Sequence, residues 1–299
     1  MTPAPRGTLS AMRPYEGVLT AMVTPFHGDG RVNEDASVAL ARHLLASGSH
    51  GLVVAGTTGE AATLTDEEQV RLVELIATEV GADGTIVAGA GSNDTRHAAE
   101  LTERVIGAGA QAVLSVTPYY NKPNRRGILA HFSAVAAAAG GTPVIVYNIP
   151  GRTAVNMGPE LLAELAQIDG IVAVKQANTA EQQPIDGMVV LAGNDDSYLA
   201  CLEMGGGGVI SVASHIVGPE MRRMWDDPEH RAEIDASLRD VYETLFITAS
   251  PTPVKAALNL LGHDAGTLRL PMVEADEAEL SQIRAMLERH RLLATASTA

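Results

Sequence analysis

A lysine follows four apolar residues directly in the stretch IVAVKQAN, residues 171 to 178. Of the 21 basic residues in the chain, eighteen are arginines and three are lysines: Lys122, Lys175 and Lys255. A lysine can lose its proton and attack a carbonyl carbon, whereas an arginine keeps its charge. Lys175 is therefore a candidate nucleophile; the other interpretation is a stem that packs inward while the ammonium reaches water. Lys122 and Lys255 are expected to be ordinary surface or interface lysines.

Hydroxyl groups stand at the ends of other apolar runs. Thr57 and Thr58 close one run, Tyr119 and Tyr120 follow another, and Tyr147 ends a third. We expect Val172, Val174 and the neighbouring strands to desolvate Lys175, which favours a neutral amine that forms a Schiff base with a ketone or aldehyde. Paired tyrosine hydroxyls linked by a threonine can carry the protons that this chemistry needs.

The elements that must position these residues are short apolar runs alternating with segments of helical period. The eight runs cover residues 17 to 24, 51 to 58, 85 to 91, 112 to 118, 143 to 148, 170 to 176, 188 to 194 and 208 to 212. Eight such units favour a closed (β/α)8 TIM barrel of the α/β class over an open doubly wound sheet. No Gly-x-Gly-x-x-Gly follows the first run, which disfavours dinucleotide binding. In such barrels active sites gather at the carboxyl ends of the strands, where the candidate residues stand.

Three amphipathic segments follow the eighth run and predict a C-terminal helical extension. We therefore divide the chain into a loose N-terminal arm (1–14), a barrel (15–225) and a helical extension (226–299). The region from 176 to 188 contains Pro184 and is too short for the usual sixth crossover helix.

Composition excludes several classes of function. Acidic residues outnumber basic ones 36 to 21, a net charge of −15, which disfavours nucleic acid and anionic membranes as partners. No apolar run is long enough to span a membrane. The single cysteine excludes an internal disulfide, so a reducing cytoplasm is the expected location.

Other candidate sites are weaker. The nine histidines never stand two to four positions apart, so no metal site is expected. The glycines from Gly205 to Gly208 predict a tight helix-to-strand turn, because the surrounding sequence lacks the cations that a phosphate site would use. Asp195 and Asp196 are interpreted as helix caps, and Cys201 as inert core.

Five motifs in order carry a family resemblance. They are GTTGE (56–60), VTPYYNKP (116–123), YNIPGRT (147–153), the Lys175 strand and GVISV (208–212). Over residues 15 to 290 the chain resembles the dihydrodipicolinate synthase and N-acetylneuraminate lyase superfamily. The double threonine, the YYNKP pair and the arginine of PGRT are similar to the dihydrodipicolinate synthase branch.

The resemblance implies a reaction that needs neither a metal nor an organic cofactor. Lys175 would form a Schiff base with pyruvate, and the enamine would attack L-aspartate 4-semialdehyde. The implied proton relay consists of Thr57, Tyr147 and Tyr120, the last from a neighbouring subunit.

The resemblance also implies binding roles. Thr58 and the backbone around Gly193 and Ile210 would position pyruvate. Arg152 would hold the carboxylate of the semialdehyde; its other interpretation is a solvated arginine in the turn made by Pro150 and Gly151.

Two features of the sequence depart from the family pattern and change what we expect of oligomer contacts and of inhibition. The shortened segment after Gln176 removes a region that forms oligomer contacts in the family, so a homodimer sharing Tyr120 is a safer expectation than a tetramer. Lysine-inhibited members carry two histidines and a glutamate where this chain has Asp66, Gln69 and His97. We therefore expect weak or absent inhibition by L-lysine.

Two other functions stay open from sequence. One is a pyruvate-dependent aldolase that acts on a 2-keto-3-deoxy sugar acid. The other is a noncatalytic barrel that binds a keto acid in a regulatory role.

Overall fold

Eight parallel strands close into a barrel in the computed structural model, which describes residues 13–293. The order is sequential, and the first strand pairs with the eighth. The strands are β1 Gly17–Ala21, β2 Gly51–Val54, β3 Thr85–Gly89, β4 Ala112–Val116, β5 Val144–Asn148, β6 Ile171–Gln176, β7 Val189–Ala192 and β8 Gly208–Ser211. All eight predicted runs form strands, so the barrel is confirmed. The predicted arm lies outside the described residues except for positions 13 and 14.

Helices cover the outside of the barrel. They are α1 Glu34–Ala46, α2 Asp66–Val80, α3 Thr95–Gly107, α4 Arg125–Ala138, α5 Pro150–Thr153, α6 Pro159–Leu165, α7 Tyr198–Glu203 and α8 Ser214–Asp226. Helix α2 begins with a capping box, in which the Thr65 hydroxyl accepts from Glu68 N and the Glu68 carboxylate accepts from Thr65 N. Two otherwise unpaired N–H groups at the start of the helix are thereby satisfied.

The strand alternation decides which side chains enter the barrel. The interior cluster includes Leu19, Ile145, Tyr147, Ala173, Leu191 and Ile210. Val174 packs on the helix side with Val144 and Val146, while Val172 packs against the interior cluster. Because successive side chains point to opposite faces, Lys175 enters the interior. The expectation that Val174 surrounds the amine is therefore wrong.

Two connections follow the sequence prediction. Between β6 and β7 the chain makes only a 3-10 turn, Thr179–Glu181, which confirms that the sixth crossover helix is missing. The glycines before β8 form the predicted tight turn: Gly208 has φ +132°, and a Cβ there would lie 2.0 Å from Gly17 O.

The predicted C-terminal extension is helical, with α9 Arg231–Thr244, α10 Thr252–Leu260 and α11 Glu277–Arg289. Leu238, Leu258 and Leu287 belong to the same apolar cluster as Leu44 and Met221 on the barrel helices. The extension is thus held to the barrel by a continuous core. The division at 225 and 226 stays a prediction. Within residues 13–293, no helix is both long and apolar enough to cross a membrane.

Candidate active site

Lys175 points into the barrel at the carboxyl end of β6. Its register partner on β5 is Tyr147, and its Nζ lies 4.3 Å from the centre of the Tyr147 ring. The residue is only 6% exposed. Burial lowers the pKa of Lys175 to about 8, although the negative charge of Asp195 opposes this shift and the positive charge of Arg152 adds to it. A neutral amine is therefore available near neutral pH.

Tyr147 is the hydroxyl-bearing residue beside this amine. Burial raises the pKa of Tyr147 to about 12, so its phenol stays protonated and can donate. Its backbone oxygen accepts from Thr117 N at 3.0 Å and from Thr117 Oγ1 at 2.8 Å. These two bonds fix the end of β5 and with it the ring.

A cavity of about 380 Å³ opens at this end of the barrel. Thr57, Tyr147 and Arg152 line it together, so three of the predicted residues share one space. Arg152 lies on the short helix α5 and is exposed. Among residues 13–293 no carboxylate forms an ion pair with it. An unneutralised guanidinium on a cavity wall suits an anionic ligand.

The loop after β2 carries both predicted threonines. Thr57 is exposed toward the cavity, whereas Thr58 is buried. Glu60 N donates to Thr57 O at 3.1 Å, and Thr24 Oγ1 donates to Gly59 O at 2.7 Å. These two hydrogen bonds close the loop into a compact turn.

Four other predicted residues do not line this cavity: Thr58, Lys175, Gly193 and Ile210. Tyr120 also lies outside it. Tyr120 is 89% exposed and has φ +71°, which is unusual for a residue with a side chain. In one copy of the chain Tyr120 is thus at the surface, whereas Lys175 is buried.

Gly193 and Ile210 lie at the carboxyl ends of β7 and β8. Gly193 N donates to Gln176 O at 2.8 Å, and a Cβ on Gly193 would lie 2.8 Å from Ala177 N. Close approach of two backbones therefore requires glycine at 193, whatever ligand it meets. The Ile210 side chain is buried in the barrel interior.

Sequence reasoning missed two amides that follow the key residues. Asn148 Nδ2 donates to Gln176 Oε1 at 2.9 Å, and Asn148 Oδ1 accepts from Met157 N at 2.9 Å. Both side chains are buried, so this pair ties the end of β5 to the end of β6. The available signal was a polar residue directly after Tyr147 and directly after Lys175.

Asp195 and Lys255 also differ from expectation. Asp195 Oδ2 accepts from Val212 N at 3.2 Å and from Ala213 N at 2.9 Å, so it fastens the start of α8 and does not cap its own helical turn. Lys255 is fully buried against Glu60, so its interpretation as a surface lysine is wrong. Cys201 is buried as predicted, and burial raises its pKa to about 11.

The far wall of the cavity contains Asp66, Gln69 and His97. His97 Nε2 lies 2.9 Å from Asp66 Oδ1, and Arg104 Nη1 donates to Asp66 Oδ2 at 3.2 Å. The Asp66 carboxylate is thus already engaged. Within residues 13–293, no group of three or more His, Cys, Asp or Glu side chains is arranged to hold a metal ion.

Known proteins resemble the chain over nearly its whole length. Residues 14–290 match the model of the Dihydrodipicolinate synthetase family. The curated 4-hydroxy-tetrahydrodipicolinate synthase of Thermosynechococcus vestitus is 42% identical over 289 residues, 93% of this chain and 98% of the relative.

Solved structures agree with the sequence match. The crystal structure of the DHDPS from Cyanidioschyzon merolae with lysine bound has a TM-score of 0.89 and 40% identity, and the match covers 94% of this chain and 100% of that one. A structure described as the first monomeric dihydrodipicolinate synthase variant has a TM-score of 0.87 and 36% identity, covering 93% of this chain and 97% of that one. With its barrel, its buried lysine and these matches, the chain belongs to the dihydrodipicolinate synthetase family.

Proposed function

We propose that this chain is a 4-hydroxy-tetrahydrodipicolinate synthase, a lyase that condenses pyruvate with L-aspartate 4-semialdehyde. The curated relatives that carry this name match more than nine-tenths of the chain at about the same identity. The observation that carries the proposal is the Lys175 amine, buried and lowered in pKa beside the ring of Tyr147. In this proposal the reaction begins with attack by the Lys175 amine on pyruvate.

The first stage captures pyruvate. Neutral Lys175 Nζ attacks the keto carbon C2, the carbinolamine oxygen takes up a proton, and water leaves to give the imine. Protonated Tyr147 is the proposed donor, and Thr57 on the same cavity is the proposed next member of the relay. Thr58 and the backbone around Gly193 and Ile210 hold the pyruvate.

The second stage joins the substrates. Loss of a proton from C3 of the imine gives an enamine, whose C3 attacks the aldehyde carbon of L-aspartate 4-semialdehyde. The aldehyde oxygen takes up a proton and becomes a hydroxyl, and the imine at C2 is restored. The amine of the adduct then attacks C2 and releases Lys175, which closes the ring. The exposed guanidinium of Arg152 at the cavity wall supports a role in holding the semialdehyde carboxylate.

Tyr120 completes the proposed relay from a neighbouring subunit. Tyr120 is almost fully exposed in one copy, and its backbone has φ +71°. Both features support a homodimer or higher homo-oligomer in which each site receives the tyrosine of the other chain.

An aldolase for a 2-keto-3-deoxy sugar acid shares the first stage and differs in the second. The curated relatives carry the synthase name and do not favour this alternative. Turnover with L-aspartate 4-semialdehyde compared with turnover of sugar acids separates the two. A protein that binds pyruvate reversibly and turns over neither substrate would be a regulatory barrel.

Borohydride reduction in the presence of pyruvate tests the proposal directly. The reduced adduct should map to the peptide containing Lys175, and the Lys175→Arg variant should give no adduct because arginine cannot form the imine. Lys122→Arg is the matched control and should trap pyruvate as the wild type does. An adduct on another residue would overturn the assignment.

A further inference from the structure

A second lysine is buried on the C-terminal extension. Lys255 lies on α10, and its Nζ donates to Glu60 Oε1 at 2.7 Å and to Thr267 O at 2.6 Å. The side chains of Lys255 and Glu60 are each 1% exposed. Glu60 belongs to the turn that contains Thr57 and Thr58, so this ion pair joins the extension to the loop of the candidate active site.

Arg269 reinforces the same loop. Its backbone N donates to Glu60 Oε2 at 3.0 Å, so both carboxylate oxygens of Glu60 are used. Its guanidinium donates to Thr63 O at 2.7 Å and forms an ion pair with Glu68. The cations of Lys255 and Arg269 lie 4.4 Å and 4.5 Å from the centre of the Phe26 ring. These contacts hold the segment from residue 60 to residue 68, which runs from the turn into the first turn of α2.

The backbone conformation of Glu60 indicates why these contacts to its carboxylate are needed. Its φ is +56°, in the left-handed region that is unfavourable for a residue with a side chain. In that conformation Glu60 N donates to Thr57 O at 3.1 Å and closes the turn. The contacts of the carboxylate thus hold the backbone that sets the position of Thr57.

We propose that Lys255, Glu60 and Arg269 form a clamp whose role is to position Thr57 and Thr58, so that the C-terminal extension takes part in the reaction without touching substrate. The inference rests on the proposed function, because it assigns the clamp to the threonines of that mechanism. All three members are positioning residues. A loss of order at the clamp should impair both the proton relay of Thr57 and the pyruvate contact of Thr58.

Lys255→Met tests the clamp by removing the charge while keeping a long side chain. The Glu60 carboxylate then stays buried without its cation, and the turn must move to reach water. We expect kcat/KM for pyruvate to fall about 100-fold, with a lower kcat and a higher KM, because a displacement of about 1 Å at a catalytic group has an effect of that size.

Glu60→Gln and the double variant Lys255→Met, Glu60→Gln complete a double-mutant cycle. Glu60→Gln keeps the size of the side chain and one acceptor oxygen, and it remains informative if Lys255→Met folds poorly. Because residues in direct contact act as a unit, the double variant should lose less than the product of the two single losses. Losses that multiply independently would overturn the coupling.

Leu258→Ala is the matched control for stability. Leu258 lies on the same helix and is fully buried in the apolar cluster that joins the extension to the barrel. It should lower the thermal midpoint through a cavity while leaving kcat and KM within about twofold of wild type. If Lys255→Met behaves like Leu258→Ala in both respects, the pair is only structural and the inference is wrong.

Hydrogen exchange separates this inference from the proposed function. The peptide covering residues 56 to 64 should exchange faster in Lys255→Met than in wild type or Leu258→Ala. This result does not depend on turnover, so it can support the clamp even if pyruvate fails to trap on Lys175. Unchanged protection of that peptide would overturn the clamp even in an active synthase.

Discussion

Two buried lysines in one chain have opposite surroundings. Lys255 is in contact with a carboxylate, whereas the negative charge near Lys175 belongs to Asp195, whose Oδ2 is occupied by the N–H groups of Val212 and Ala213. Burial lowers the pKa of both lysines. Among the residues that the structure describes, 13–293, no carboxylate forms an ion pair with Lys175. A buried amine without a direct acid partner can give up its proton at moderate pH, which suits Lys175 to nucleophilic attack.

The pH dependence of pyruvate capture should follow Lys175. Its pKa is lowered to about 8, so the amine is mostly protonated below that pH and mostly neutral above it, and only the neutral fraction attacks pyruvate. We expect kcat/KM for pyruvate to rise about tenfold per pH unit from about pH 6 and to level off above about pH 8. Steady-state kinetics across that range measure it.

Asp195→Asn tests the cause of this pH dependence, the rising limb of kcat/KM between about pH 6 and about pH 8. Removing the negative charge that raises the pKa of Lys175 should move the limb to lower pH, and an amide oxygen can still accept from the two N–H groups that Asp195 Oδ2 now serves. A profile that stays flat from about pH 6 to about pH 9 would contradict the role of a titrating amine.

At the level of secondary-structure elements, the paired ends of β5, β6 and β7 position the residues of the candidate site. Register pairs Tyr147 with Lys175 and Gln176 with Ala192, and the Asn148 amide crosses from β5 to β6. One extra residue of β6 lies between the partners of Val144 and Ile145, so the strand shifts its alternation before Lys175. The side chain that reaches the interior depends on this shift.

Gly193→Ala tests the packing of the strand ends. The added Cβ would lie 2.8 Å from both Ala177 N and Gln176 C, immediately after Lys175. We expect the unfolding free energy to fall by about 1–3 kcal/mol and kcat/KM to fall about 10- to 100-fold. Denaturant unfolding and steady-state kinetics measure the two effects.

Gly107→Ala is the matched control. Gly107 is the last residue of α3, and within residues 13–293 no atom outside its own stretch of helix lies within 4 Å of a Cβ built there. Alanine is the better helix former, so the variant should keep its activity and gain up to about 1 kcal/mol. A harmless Gly193→Ala would show that the two strand ends can separate freely.

Helices α2 and α3 set the expected response to L-lysine. Asp66 is engaged by His97 and Arg104, so its carboxylate is already paired and is not free to bind the ammonium groups of L-lysine. We expect half-maximal inhibition only above about 1 mM. The triple variant Asp66→His, Gln69→His, His97→Glu should become more sensitive, and submillimolar inhibition of the wild type would sink the expectation.

The whole molecule is incomplete as a single copy if Tyr120 is catalytic. Its side chain is exposed, while Lys175 and Tyr147 are buried together in one barrel. The connection from β6 to β7 is only a 3-10 turn, in the region where the family resemblance implies oligomer contacts. These features favour a dimer that exchanges Tyr120.

Mixed dimers test the exchange of Tyr120. Lys175→Ala and Tyr120→Phe should each be nearly inactive, but in a mixed dimer one site receives an intact lysine from one chain and an intact tyrosine from the other. Random reassociation should therefore restore about a quarter of wild-type activity. Co-refolding followed by the synthase assay measures it.

Lys175→Ala mixed with Tyr147→Phe is the control. Each barrel supplies both its own Lys175 and its own Tyr147. In the mixed dimer one site therefore lacks the lysine and the other lacks the tyrosine, and activity should stay low. Recovery in this control, or none with Tyr120→Phe, would contradict the sharing of Tyr120.

The sequence by itself determined the eight-stranded barrel and the places of Tyr147 and Lys175 at the ends of the fifth and sixth strands. Apolar runs with helices between them specify parallel strands, and polar residues at the ends of such runs must meet at one mouth. These are local patterns, and the register of β5 and β6 agrees with them.

Only the tertiary structure decided what surrounds each side chain. Lys255 and Glu60 are 195 residues apart along the chain, and no spacing indicates that they meet. The shift in β6 that moves Val174 to the helix side is likewise invisible to a regular alternation. Burial and charge pairing depend on contacts between distant segments, so the lysine that looked ordinary proved to be buried and paired.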